Sequence, residues 1–108
     1  MTSGFRYHPE ASKELDLAID WYEAATPGLG PEFFDDVESA VREVRTRPAQ
    51  WPLDPGVSSS LGVRRRLLRR FPYSLAWVVE PGMIVIVAVV HSRRLPGYWL
   101  DRTRPGTG

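Results

Sequence analysis

The residues of this chain that could do chemistry are arginines, a histidine and tyrosines concentrated in its second half. Two arginine clusters flank a run of strand-like sequence, and Tyr73, His91 and Tyr98 lie among them. The clusters are Arg64, Arg65, Arg66, Arg69 and Arg70 before the first turn, and Arg93 and Arg94 after the last strand. A guanidinium carries a planar set of donors that matches phosphate in two-point contact. The segment therefore predicts a surface for RNA, DNA or a nucleic-acid-processing partner.

One candidate for catalysis is His91, which ends the most apolar predicted strand and precedes Ser92 and the second arginine cluster. Neighbouring positive charge favours the neutral imidazole, which is the form that accepts a proton. A metal-independent ribonuclease would use it as general base on a ribose 2′-hydroxyl, with arginine on the phosphate and Tyr73 or Tyr98 assisting. The catalytic set would then be His91, Arg70, Arg94 and Tyr98. The simpler alternative is a histidine that caps the strand by bonding to backbone.

The first arginine cluster falls on both faces of a strand predicted from 63 to 71. Period-two alternation places Arg64, Arg66 and Arg70 on one face. It places Arg65 and Arg69 on the other. A face that carries arginine is not a dry core, so these side chains either line a concave sheet surface or pair with helix carboxylates.

Two helices and several strands must position these residues. Residues 5–8 alternate like a strand, and His8 is interpreted as a residue at the start of a helix that begins with Pro9. Residues 26–31 break this helix, and Pro31 begins a second helix that ends at Pro48. The acidic residues of the first helix, Glu14 among them, are expected to face solvent. Further strands are predicted at 63–71, 73–80 and 83–91, and the long loop from 49 to 62 is expected to be either functional or pinned by Trp51.

Length and composition predict one domain without a membrane span, a metal or a cofactor. A chain of 108 residues with 43% hydrophobic and 25% charged content is typical of a single soluble globule. No run approaches the roughly 20 apolar residues of a bilayer-spanning helix. The N-terminus lacks a secretory signal, so a cytoplasmic location is expected. Two histidines and no cysteine argue against a metal site.

Charge is distributed unevenly along the chain. Residues 1–50 contain 5 basic and 10 acidic residues, whereas residues 51–108 contain 9 arginines, no lysine and 3 acidic residues. Because helices are predicted in the first half and strands in the second, an acidic helical layer should lie behind a basic sheet. The exclusive use of arginine in the second half favours bidentate recognition over generic solubility.

Several short motifs, taken in order, carry a resemblance to a known family. In the second half they are the arginine pairs before Phe71-Pro72-Tyr73, the apolar strand Ile84 to His91, and Arg93-Arg94-Leu95-Pro96-Gly97-Tyr98-Trp99. In the first half they are Pro9-Glu10-Ala11, Glu14-Leu15, Ala18, Trp21-Tyr22 and Gly28-Leu29-Gly30. Together they resemble the RelE/ParE toxins of bacterial type II toxin–antitoxin modules, especially the ParE-like plasmid-stabilisation branch.

The resemblance implies an α+β fold, with a helical hairpin packed on a small, mainly antiparallel, twisted β-sheet. It implies a single toxin domain over residues 1–102 and a flexible tail over 103–108. The toxin would act in a bacterial cytoplasm and be neutralised by a cognate antitoxin. It would contact operator DNA only indirectly, through that antitoxin. ParE-like members poison DNA gyrase, whereas RelE-like members cut messenger RNA on the ribosome. Lys13 is the only lysine, so the chain departs from RelE members that use sheet lysines, and gyrase is favoured.

For such a toxin, the arginine clusters and Tyr73 are the residues expected to meet the target or the antitoxin. They are Arg64, Arg65, Arg66, Arg69, Arg70, Tyr73, Arg93 and Arg94. A further alternative outside the toxin class is a non-catalytic nucleic-acid-binding module that uses the same basic sheet.

Overall fold

The computed structural model describes residues 4–95 and 97–103. Its main elements are β1 (Gly4–Tyr7), α1 (Pro9–Ala25), α2 (Leu29–Thr46), β2 (Arg64–Leu67), β3 (Tyr73–Glu80) and β4 (Met83–His91). The strand order is β1-β4-β3-β2, in which β1 is parallel to β4 and the other neighbours are antiparallel. Two helices packed on a mixed four-stranded open sheet confirm the predicted α+β class. Short 3-10 turns cover Ser59–Leu61 and Leu100–Thr103, and residues 104–108 of the predicted tail lie outside the described residues.

A histidine starts the first helix, as predicted. The Nδ1 atom of His8 accepts a hydrogen bond from the amide N–H of Glu10 at 3.1 Å. Pro9 occupies the first helical position, where a backbone N–H would have no hydrogen-bond partner within the helix and its absence costs nothing. The backbone N–H of His8 donates to the oxygen of Ile86 in β4 at 2.8 Å, which continues the pairing of β1 into the helix start.

The second helix begins at Leu29, two residues earlier than predicted. Pro31 lies within its first turn, where a proline is tolerated. Glu23 of α1 accepts hydrogen bonds from the amide N–H groups of Gly28 and Gly30 at 3.0–3.1 Å, which places a carboxylate at the positive end of α2. A Cβ atom on Gly30 would lie 2.9 Å from a backbone oxygen of α1. The glycines therefore permit a close connection between the two helices.

The second strand is shorter than predicted, because only residues 64–67 pair with β3. The chain turns at Leu68, whose amide N–H donates to the backbone oxygen of the first residue of β3 at 2.8 Å. The turn is held to α2, since the amide N–H of Arg70 donates to the carboxylate of Asp36 at 3.0 Å. The predicted alternation was therefore wrong for Arg69 and Arg70, which lie in this turn rather than on a strand.

A β-bulge in β4 changes which face the end of this strand presents. Trp77 pairs with Ile86, and the preceding residue of β3 pairs with Ala88, so Val87 is the additional residue. Before the bulge, even-numbered residues of β4 face the helices, and after it odd-numbered residues do. The bulge therefore brings His91 to the helical side of the sheet.

Apolar cores lie on both faces of the sheet. The larger core, between the sheet and the helices, includes Phe33, Leu75 and Trp77. The smaller core lies on the other face, where Trp99 is fully buried and Val57 packs at its margin. Within the described part of the chain, neither helix combines the length and apolar character needed to cross a bilayer.

The loop between α2 and β2 is pinned through Trp51, which is one of the two alternatives expected for it. The Trp51 side chain packs against the larger core, and its backbone oxygen accepts a hydrogen bond from Nη1 of Arg64 at 2.6 Å. Leu53 forms an isolated bridge with Arg64, and the N–H of Arg65 donates to the oxygen of Pro52 at 3.0 Å. The loop thus covers part of the outer edge of β2, where an exposed strand could otherwise pair with another chain.

Candidate interaction site

A groove of about 530 Å³ opens between α1 and the ends of β3 and β4. It is lined by Glu14, Leu17, Ala18, Trp21, Tyr22, Pro72, Tyr73, Val89, His91, Arg94 and Tyr98. Leu17 and Trp21 lie one turn apart on α1 and remain 70% and 66% exposed. Adjoining exposed apolar side chains of this size mark interaction sites on proteins. We call this surface the α1 groove.

Glu14 makes the densest set of contacts in the α1 groove. Its Oε1 atom accepts hydrogen bonds from the N–H of Val89 and from Nη1 of Arg102, both at 3.0 Å. Its Oε2 atom accepts from the hydroxyl of Tyr98 at 2.7 Å. Arg102 also donates to the backbone oxygen of Val87 at 3.0 Å. Because β1 ends before this part of β4, Glu14 and Arg102 satisfy strand groups that β1 does not reach.

Sequence reasoning missed Glu14 and Arg102 as site residues. The expectation that Glu14 faces solvent was wrong, since its side chain is 17% exposed. A signal was available, because Glu14 follows Ala11 by three residues and precedes Ala18 by four, which is the spacing of the buried stripe itself.

His91 contacts the backbone at the end of β4. Its Nδ1 atom accepts a hydrogen bond from the amide N–H of Arg93 at 3.0 Å, and its ring packs edge to face on Tyr73 with 5.0 Å between centroids. The lone pair of Nδ1 is therefore engaged by the backbone. These contacts are the ones expected of a strand-capping histidine.

Tyr98 lies between a carboxylate and two guanidinium groups. The guanidinium carbon of Arg94 lies 3.9 Å from the centroid of its ring, and that of Arg102 lies 5.3 Å away. Burial raises the pKa of Tyr98, and its hydrogen bond to Glu14 together with the negative charge there raises the pKa further. The phenol therefore stays protonated and donates to Glu14.

Three of the arginines predicted at the site pair with α2. Glu43 contacts both Arg66 and Arg69, and Glu32 contacts Arg70 at 2.6 Å. Arg66 is 6% exposed, so its pairing holds β2 against α2 from inside the molecule. For these three residues the structure shows pairing with helix carboxylates, which is one of the two alternatives expected from the sequence.

Of the other arginines predicted at the site, three are exposed and contact no carboxylate within residues 4–95 and 97–103, namely Arg65, Arg93 and Arg94. Arg65 and Arg94 line a cavity of about 100 Å³ together with Ser92 and His91. Arg94 and His91 also line the α1 groove, so the two openings adjoin. The structure thus brings Arg94 together with Tyr73, His91 and Tyr98.

The arrangement is suited to binding through charge and apolar contact. Exposed guanidinium groups bind carboxylate or phosphate, and the exposed side chains of α1 can be buried by a partner. Across the described ranges, no three His, Asp or Glu side chains come together in a way that could hold a metal ion.

Comparison with known proteins decides the class. A family model described as the ParE toxin of the type II toxin–antitoxin system parDE matches residues 5–96. The chain belongs to the ParE toxin family. Among solved structures it is similar to a chain of the chromosomal ParDE TA system from P. aeruginosa, with a TM-score of 0.71 and 23% sequence identity. That likeness covers 83% of this chain and 96% of the other and shows the fold. A search of curated proteins found no significant match.

Membership of the ParE family confirms the branch that the order of motifs predicted. This ParE-type toxin belongs to a toxin–antitoxin system, which implies a cognate antitoxin. The matched residues end at 96, before Tyr98 and Arg102. In this ParE-family chain, Glu14 therefore ties a segment beyond the matched residues to α1.

Proposed function

We propose that this ParE-family toxin acts in the bacterial cytoplasm by poisoning DNA gyrase and that its cognate antitoxin neutralises it. The observation that carries the proposal is the pair Arg93 and Arg94, exposed beside the α1 groove without a carboxylate partner among the described residues. Adjacent cations that project from the end of a strand suit an acidic surface on a protein partner. The ParE-like character of the motifs favours gyrase as that partner.

Ribosome-dependent cleavage of messenger RNA is the second candidate. The cavity between Arg65 and Arg94 favours it, since two guanidinium groups there could hold a phosphate, whereas the Asp54 carboxylate that lines the same cavity opposes an anion. Cleavage also requires a general base. His91 accepts a backbone hydrogen bond, and Tyr98 donates to a carboxylate. Arg70 pairs with α2. Of the four residues in the ribonuclease hypothesis, Arg94 alone then remains available to a substrate. Gyrase poisoning is therefore the better-supported function.

The α1 groove supports the antitoxin part of the proposal. Leu17 and Trp21 offer apolar surface, and Arg94 offers a positive charge at the end of the same groove. A disordered segment that folds on binding needs both apolar burial and charge pairing to offset its ordering cost. An amphipathic antitoxin segment with a carboxylate near one end fits this surface.

Supercoiling by purified gyrase and mRNA cleavage in programmed ribosomes test the target. We expect the wild type to inhibit supercoiling and the double variant Arg93→Glu/Arg94→Glu to inhibit at least about tenfold less, because reversed charge repels an acidic surface. His91→Ala should change inhibition little, since His91 contacts backbone at the strand end.

Arg42→Glu/Arg45→Glu is the matched control, because it makes the same charge change on exposed positions of α2. Circular dichroism should show that all variants are folded. Ribosome-dependent cleavage by the wild type, reduced by His91→Ala about 10²- to 10⁴-fold, would contradict the gyrase proposal and support the second candidate.

A further inference from the structure

A second surface of the molecule is built around Trp51 and shares no lining residue with the α1 groove. Two open grooves, of about 510 and 430 Å³, meet there. Trp51, Glu43 and Arg69 line both, so the grooves form one continuous surface. We call it the Trp51 cleft.

The contacts around Trp51 hold its ring in place. The guanidinium carbon of Arg66 lies 5.2 Å from the ring centroid, and Glu43 binds Arg66 in turn. Arg64 donates to the backbone oxygen of Trp51. Trp51 remains partly exposed within this frame. A ring held in this way can bind a partner without an additional ordering cost.

Positive charge reaches the Trp51 cleft from three elements. Arg47 follows the last residue of α2, Arg65 lies on β2, and Arg69 lies in the turn after β2. Arg69 contacts Glu43 at 2.8 Å, whereas Arg47 and Arg65 contact no carboxylate in the part of the chain that the structure describes. The negative end of α2 accounts for a cation at Arg47. It does not account for Arg65, which comes from a different element.

We propose that the Trp51 cleft binds an extended, acidic polypeptide segment that carries an apolar side chain. Its carboxylates would pair with Arg47 and Arg65. The apolar side chain would lie on Trp51 beside Leu67, which is 56% exposed. Nucleic acid fits less well, because its regularly spaced phosphates would also face the Glu43 carboxylate that lines both grooves, whereas a peptide can place its carboxylates opposite Arg47 and Arg65 only. The proposal goes beyond gyrase poisoning and does not depend on it.

Fluorescence anisotropy with a labelled synthetic peptide of alternating Glu and Leu tests the proposal on the full chain. We expect the wild type to bind this peptide, and Arg47→Glu and Arg65→Glu each to bind it at least about tenfold more weakly. Arg42→Glu should bind like the wild type, because it makes the same charge change on α2 outside the cleft. Peptides with Lys in place of Glu, or Ser in place of Leu, should bind weakly.

Several outcomes would overturn the proposal. One is the absence of binding of the Glu-Leu peptide at millimolar concentration. Another is equal weakening by Arg42→Glu and Arg47→Glu, or equal binding of the Ser-containing peptide. Tighter binding of labelled oligothymidylate, lost in Arg47→Glu and Arg65→Glu, would show a nucleic-acid site instead. The assay contains no gyrase, and Arg47 does not line the α1 groove, so weakening by Arg47→Glu separates binding at the Trp51 cleft from the proposed function.

Discussion

Among single residues, Glu14 ties the C-terminal segment to α1 and β4. Its carboxylate accepts hydrogen bonds from the backbone of β4, from Tyr98 and from Arg102. Glu14 and Arg102 are both largely shielded from water. Loss of one partner of such a pair leaves the other charge uncompensated, which costs more than the pair itself contributes.

Glu14→Gln should therefore destabilise the protein. The substitution keeps the shape of the side chain but removes the charge that faces Arg102, and the free energy of unfolding should fall by about 2–4 kcal/mol. Urea denaturation followed by circular dichroism measures this change. Glu10→Gln is the matched control, because Glu10 pairs with Lys13 on the exposed surface and its loss should leave the midpoint nearly unchanged. Equal midpoints for the two variants would contradict the role of Glu14.

At the scale of elements, β1 and α1 are joined through one buried histidine. The backbone of His8 extends the pairing of β1 with β4, and its side chain caps α1. A protonated His8 could not accept the hydrogen bond from Glu10 at Nδ1. The start of α1 therefore depends on a neutral imidazole.

This dependence predicts acid sensitivity of the fold. Burial lowers the pKa of His8, and the positive charges of Arg102 and Arg6 lower it further, against smaller opposing effects of Glu10 and Asp101. Folding thus favours the neutral form, whose contribution to stability is complete above the usual imidazole pKa of about 6.5 and is lost as the pH falls. Between about pH 7.5 and pH 5, the free energy of unfolding should fall more steeply for the wild type than for His8→Asn.

The His8→Asn variant keeps a side-chain acceptor that does not titrate in this range. Urea denaturation at each pH measures both proteins under the same conditions, so acidic groups common to both affect the two curves alike. Parallel pH profiles of the wild type and the variant would show that His8 does not control acid stability.

For the whole molecule, the charge difference between the two halves of the sequence has two roles. Carboxylates of the helices pair with arginines of the second half: Glu14 with the shielded Arg102 and Glu43 with the buried Arg66, and, on the surface, Glu32 with Arg70 and Glu43 with Arg69. On the outside, Arg65, Arg93 and Arg94 remain exposed. The first set holds the sheet to the helices, and the second is available to partners.

The exposed arginines lead to a prediction about bacterial growth. The wild type expressed alone should arrest bacterial growth, and co-expression with the cognate antitoxin should restore it. Arg93→Glu/Arg94→Glu should permit growth, since the reversed charges repel the target, whereas Arg42→Glu/Arg45→Glu should remain toxic. Colony counts after induction, with soluble protein verified by immunoblot, measure the effect. Normal growth of several bacterial hosts that contain soluble wild type would argue against toxicity.

The sequence by itself determined the elements and the family. The start of α1 at Pro9 and the bounds of β3 and β4 were predicted as the structure has them, because apolar periodicity, a helix-starting proline and the Pro81-Gly82 turn act within a few residues. The order of short motifs along the chain predicted the ParE-like family, since such motifs need no knowledge of which residues meet in space.

Only the tertiary structure decided which side chains meet. Periodicity shows which face a residue occupies but not what lies opposite, and it loses its phase at the bulge of Val87, which turns His91 toward the helices. Glu14 meets Arg102 across 88 positions of sequence. By the same long-range packing, α2 binds Arg66 inside the molecule while its neighbour Arg65 stays exposed. Contacts with distant elements thus decide which arginines of one cluster hold the fold together and which are available for binding.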